Sequence, residues 1–340
     1  MRKMIWLLAA FLPLTAFLSV RAPKTRLSDC GFFSGDIRLQ QPAAGVIPYS
    51  LNTPLFSDHA EKLRFVRVPE GQIVSYNDTA TFDFPVGTAL VKTFYFPVDA
   101  RDPLKGRRLM ETRVLLHEAN GWKAYPYIWN EEQTDALLDV AGESKQVTYI
   151  DEQGKKRNQA YLIPNMNQCK GCHNQSEKLK PIGPSAWQLN GDHTYTEGVS
   201  NQLRYWAHKG MLSTLPDILP KGVRAYDPES GTVEERARIW LDINCAHCHR
   251  AEGPASSSGL YLSWREKDPL KLGILKTPVA AGRASGKWTY DIAPGKPEES
   301  ILLHRIRSTD PGIMMPELGR TVVDARGMEI VKSWILDVRF

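Results

Sequence analysis

Cysteine is scarce in this chain, with five in 340 residues, and neither sign of charge dominates: 43 Lys and Arg stand against 38 Asp and Glu. The Lys and Arg are dispersed among the acids, and even Lys155-Lys156-Arg157 follows Asp151 and Glu152, as in a solvated turn. A phosphate backbone is held by a single-sign stripe, so nucleic acid is excluded as a partner. No Ser/His/Asp order, Gly-rich phosphate loop or histidine-glutamate zinc motif is present, which removes the common hydrolase and nucleotide-binding classes. With 42% hydrophobic residues the chain has ample material for two or three folded domains.

At the N-terminus, Met1-Arg2-Lys3 precedes an uncharged run from Ile5 to Val20, and small residues flank Arg21. Residues 1–22 therefore read as an export signal and the mature protein as periplasmic. A retained membrane anchor is the rival, but the run contains Pro13 and is shorter than the ~20 residues a span needs. Loss of Arg2, Lys3 and Arg21 lowers the formal +5 by three to +2.

From about residue 43 to 163 the pattern is alternation broken by turns. The stretches 62–71, 89–98, 109–118 and 146–163 are rich in Val, Tyr, Phe and Thr, and the last turns near Asp151 to Gly154. Their spacing predicts a β-sandwich-like domain. Beyond residue 165 helical periods appear. Leu203, Trp206, Ala207, Gly210 and Met211 share a stripe, and Thr232 with Glu235 forms a capping-box pattern ahead of Val233, Ala237, Trp240 and Leu241. Pro294 to Glu299 opens a further helix, and Asp324 caps a last one bearing Met328, Val331, Ile335 and Val338. The expected architecture is α+β and multidomain: a β-rich domain (23–163), a first motif-bearing segment (164–228) and a mostly helical cytochrome c-like domain (229–340).

Four of the five cysteines fall in two pentads of the form C-x-x-C-H, Cys169 to His173 and Cys245 to His249, 76 residues apart. Chance produces even one such pentad in roughly a few chains per thousand of this composition, so the repeat is a signal. Two thiols three residues apart at the end of a helical turn can each add to one vinyl group of a heme, with the next histidine beneath the iron. Cys169, Cys172 and His173, and Cys245, Cys248 and His249, are thus the expected attachment sites of two covalent c-type hemes. A zinc ribbon spaces its pairs closer and needs no histidine after each. A thioredoxin-like pair expects one motif in a βαβ setting, and a disulfide three residues wide stabilises little. Cys30 is left over and reads as a structural cysteine.

A low-spin electron-transfer iron needs a sixth ligand. For the second heme Met315, fixed by the following Pro316, is the choice, with Met314 behind it. For the first, Met211 on its helical stripe competes with His208, His193 and an open position. In the β-rich part Asp58, His59, Glu111 and His117 are the polar residues of interest, and Trp122, Tyr125, Tyr127 and Trp129 form either an aromatic binding surface or a strand core.

The stretches "IPYSLNTPLFSDHAEKLRFV", "FPVGTALVKTFYFP", "WNEEQTDA", "NQCKGCHNQ", "IWLDINCAHCHR", "PVAAGRASGKWTYDIAPGKPEESILLHRI", "MMPELGRTVV" and "VKSWIL" resemble a bacterial family of exported diheme c-type cytochromes. The C-terminal part is also similar to cytochrome domains that accompany quinoprotein dehydrogenases. The resemblance implies two covalent hemes, held by the two pentads and Met315, and a role in respiratory electron flow between redox protein partners, a quinoprotein dehydrogenase among them. The expectation is a periplasmic electron carrier. The alternative is a diheme peroxidase or other heme oxidoreductase with an open first iron.

Overall fold

The computed structural model describes residues 23–279 and 281–339; the expected export signal, residues 1–22, lies outside them. Among the described residues no helix is long and apolar enough to cross a membrane.

Six strands, β1 (Val46–Tyr49), β2 (Glu61–Arg67), β3 (Ala89–Pro97), β4 (Arg107–Glu118), β5 (Gly121–Trp129) and β6 (Ala136–Leu138), pair in chain order as one antiparallel sheet. Apolar side chains pack on both of its faces. On one, Val46, Phe65, Ala89, Val91, Val114 and Trp129 pack against Leu27, Phe32, Phe33 and Ile37 of the N-terminal segment. On the other, Phe94, Phe96, Met110 and Ile128 meet a separate hairpin, β7 (Glu143–Ile150) and β8 (Lys156–Ile163). Further along that second face Val66 and Leu90 pack on Leu189 of α2 (Ala186–Leu189) and on Leu203 and Trp206 of α3 (Gln202–His208). The β3–β4 register shifts between Phe94 and Tyr95, so that Met110 is an extra residue on β4. A bulge of this kind re-aims the side chains that follow it.

The expectation of a β-sandwich-like domain followed by a mostly helical half is corrected on both counts. The strands build one meander, and the N-terminal segment, the β7–β8 hairpin and the short helices cover its faces in the place of a second large sheet. Among the described residues from 229 onward there are three α-helices: α4 (Val233–Leu241), α5 (Ile301–Arg307) and α6 (Ala325–Asp337). Between α4 and α5 the chain carries Gly253, Pro254, Gly259, Pro269, Gly273, Pro278, Gly282, Gly286, Pro294, Gly295 and Pro297, which a helix cannot absorb. The helix expected from Pro294 accordingly begins only at Ile301, after a 3₁₀ turn at Pro297–Glu299.

The three helices nevertheless share a core of Ala237, Trp240, Leu241, Leu302, Leu303, Ile306, Val331, Trp334 and Ile335. Thr232 caps α4 through a reciprocal capping box with Glu235, and Asp324 caps α6 by accepting from the Gly327 amide at 2.9 Å. The other Asp324 oxygen accepts from Trp240 Nε1 at 2.7 Å and from Tyr226 Oη at 2.6 Å, which ties the cap of one helix to the core of another. A side chain at Gly327 would put its Cβ 2.0 Å from Trp240 Nε1, so glycine is the residue that allows α6 to approach α4. Gly327→Ala is expected to cost about 1–3 kcal/mol by overpacking, read as a lower urea midpoint; an unchanged midpoint contradicts this contact.

Candidate functional site

The first pentad sits on α1 (Met166–Cys172), which starts at Asn165 through a capping box with Gln168. Cys169 and Cys172 lie three residues apart, one turn along this short helix, and His173 is the residue that ends it. His173 Nδ1 lies 2.9 Å from the Lys180 carbonyl oxygen, which can only accept, so the proton is on Nδ1 and Nε2 keeps its lone pair. Burial and the nearby Lys92 ammonium push His173 down to about 3, so the ring is neutral.

The second pentad follows α4 without a break. A π turn, Asp242–Ala246, widens the helix end and buries Asn244 and Cys245. Burial pushes the Cys245 thiol up to about 12 and the His249 imidazole down to about 4. His249 Nδ1 stands 3.4 Å from Ser258 Oγ.

The fold brings the pentads together. Ligand atoms of Cys172, His247 and Cys248 all lie within 4.8 Å of one another, and the Cys248 thiol donates to the Gly171 carbonyl at 3.9 Å. Proximity to Cys248 and then to His247 holds the Cys172 thiol down against its burial, while the same closeness to Cys172 pushes the Cys248 thiol up. His247 is 6% exposed, and its Nδ1 has no partner among the described residues.

Two cavities open on this junction. A small one of about 90 Å³ is lined by Cys169, Cys172, His173, His247 and Met315. A large one of about 1420 Å³ is lined by Cys169, His173 and His247, by Arg64, Lys92 and Arg113 of the sheet, and by Phe82, Trp187 and Trp264. Met315, paired with His249 on sequence grounds, thus stands beside the first pentad and His247. Cys245, Cys248 and His249 line neither cavity.

The remaining candidates fall elsewhere. Met211 packs with Leu203, Trp206 and Leu212 in the apolar layer over the sheet and lines neither cavity. His193 Nδ1 lies 3.3 Å from Ser50 Oγ, His208 is exposed at the end of α3, and Met314 is buried beside Met315. His117 stacks on Trp122 with ring centroids 4.6 Å apart, and both line the large cavity with Tyr125. Tyr127 and Trp129 are sheet core. His59 lies edge-on to Phe56. Asp58 is buried and accepts from the Thr321 and Val322 amides at 2.6 and 3.0 Å, clamping the chain that follows Met315-Pro316. Glu111 is fully buried, accepting from Arg113 Nε at 2.7 Å and Tyr161 Oη at 2.8 Å. Cys30 is half-buried with its sulfur 3.5 Å from Tyr127 Oη.

Sequence reading gave no role to His247, Lys92, Arg64 or Arg113. Lys92 did carry a signal, as a charge inside the otherwise apolar run Ala89-Leu90-Val91-Lys92-Thr93-Phe94. No family model, curated protein or solved structure matches the chain.

The proximity of the pentads makes a prediction for the chain produced without heme attachment. Mild oxidation should join Cys172 to Cys248, giving a crosslinked pair of peptides by mass spectrometry ahead of the Cys169–Cys172 and Cys245–Cys248 pairs. Within-pentad bonds alone would contradict the juxtaposition.

Proposed function

We propose that the protein is an exported diheme c-type cytochrome that passes single electrons between a partner dehydrogenase and a downstream acceptor. The observation that carries this reading is the meeting of two C-x-x-C-H pentads, 76 residues apart in sequence, with Cys172 of the first beside His247 and Cys248 of the second. The donor set of the first pentad suits covalent heme. His173 turns Nδ1 to a carbonyl and leaves Nε2 for a metal, the orientation in which a second partner fixes the ring of an iron ligand. Cys169 and Cys172 stand beside it on the same cavity walls. A single zinc ion at Cys172, His247 and Cys248 would use only one histidine and leave Cys169, Cys245, His173 and His249 without a role.

In this reading Cys169, Cys172, Cys245 and Cys248 would hold the two hemes covalently, His173 and His249 would each ligate an iron, and Met315 would supply a thioether to one of them. When bound, heme supplies a one-electron couple whose potential is set by its axial ligands and its burial. The protein's own contribution is to keep both imidazoles neutral by burial, so that their lone pairs are available, and to line the large cavity with the apolar rings of Trp187, Trp264 and Phe82. Export places the chain where such attachment and a redox partner, a quinoprotein dehydrogenase among them, are found.

One observation favours the second reading, a diheme peroxidase. His247 is buried, shares both cavities with His173 and has an unpartnered Nδ1. A histidine so placed serves either as a ligand or as an acid-base group. Electron paramagnetic resonance and magnetic circular dichroism on the protein made with a heme-attachment system separate the readings. A carrier gives two low-spin irons unchanged by peroxide; a high-spin iron that responds to peroxide overturns the carrier in favour of the enzyme. In Met315→Ala the methionine-to-iron charge-transfer band should vanish, and its survival would remove Met315 as a ligand.

A further inference from the structure

Three neighbouring strands turn cations toward the large cavity. The register pairs Arg64 with Lys92 and Lys92 with Arg113, and pairs Lys62 with Phe94 and Phe94 with Glu111, so these side chains project from one face of the sheet. Four cations stand there with a single carboxylate, an excess of three. Glu111 is already used by Arg113 and Tyr161, and the Lys62 ammonium is spent on the Leu55 carbonyl at 2.8 Å. Among the described residues neither Arg64 nor Lys92 takes part in an ion pair; Arg64 reaches only the Lys62 carbonyl at 3.5 Å. The Phe94 ring gives partial relief, with Lys92 Nζ 5.0 Å and the Arg113 guanidinium carbon 4.3 Å from its centroid. Arg64 is 8% exposed, and burial followed by repulsion from Arg113 and Arg64 holds Lys92 down to about 7. Crowded, desolvated like charges are costly unless an anion joins them.

We propose that Arg64, Lys92 and Arg113 form a carboxylate-binding site on the cavity wall beside Cys169 and His173, which holds the carboxylate side chains of the porphyrin attached there. The inference rests on the diheme reading and deepens it. The cavity combines this cationic wall with Phe82, Trp187 and Trp264, so it fits an amphipathic anion with a broad apolar body better than a sugar phosphate. Lys92 and Arg113 line both cavities together with Cys169 and His173, which puts the carboxylates within one porphyrin's reach of the attachment point. The Arg64 guanidinium fork and the Lys92 ammonium, with the side of Arg113 that Glu111 leaves free, supply charge-assisted hydrogen bonds to two carboxylates.

The test uses the diheme protein. Arg64→Met and Lys92→Met should each lower the reduction potential of one heme and leave the other unchanged, because a cation removed near the iron favours the ferric state; resonance Raman should show the carboxylate bending mode of that heme shifted. A redox titration with added succinate distinguishes the source of the carboxylate. No effect of succinate together with lowered potentials in both variants supports porphyrin carboxylates. A succinate-dependent potential that both variants abolish keeps the carboxylate site but overturns its assignment to the porphyrin. Both potentials and the bending mode unchanged in both variants overturn the site altogether. Failure of the underlying reading looks different, as protein from the attachment system that carries no heme.

Discussion

The strap from Asn52 to Asp58 is the constraint on which the site depends. It leaves β1 and runs between the sheet and the C-terminal helices, satisfying polar groups on both. Asn52 donates to the Trp187 and Asn190 carbonyls, and Thr53 takes the Ala225 amide and donates to the Val223 carbonyl. The Phe56 amide donates to Asn244 of the second pentad's turn at 3.0 Å, and Asp58 holds Thr321 and Val322. Buried backbone groups must find partners, and here they find them across the boundary between strand-rich and helix-bearing parts. The two pentads therefore face each other across a junction of buried hydrogen bonds.

This arrangement explains why the chemistry is shared out as it is. The helix-bearing part supplies the second pentad and Met315, α1 supplies the first, and the sheet supplies the charged wall. None of the three would be a site alone. The sheet face with its cations is unusual for a strand layer otherwise filled by Phe94, Phe96 and Ile128, and an apolar residue in place of Lys92 would pack there without an electrostatic penalty. A charged face retained against that cost is consistent with a role toward whatever fills the cavity.

What was legible in the sequence was local. The pentads, the hairpin turning at Asp151 to Gly154, the Thr232 capping box and the Asp324 cap rest on a few adjacent residues whose chemistry is complete within one turn. The rest depends on long-range choices. Whether strands rich in Val and Phe make two sheets or one meander is decided by what covers each face, and here loops and the segment from Leu27 to Ile37 do so. The helical periods after residue 165 are real but short, because Gly and Pro interrupt them, and a stripe such as Leu203, Trp206 and Met211 served the core. Lys92 and Arg113 face the site only through the β3–β4 pairing and its bulge, and His247 gains its setting from Cys172 on a distant helix. Met315 was legible as a methionine held by a proline, yet its neighbours were not, since they come from the other pentad.

Covalent attachment at both pentads is the claim beneath the functional account, and intact mass reads it most directly. Full-length protein produced with a cytochrome maturation system should carry two hemes per chain, one remaining when Cys169 and Cys172 are both replaced by Ala and the other when Cys245 and Cys248 are. A colourless chain at the mass of the bare polypeptide would contradict it.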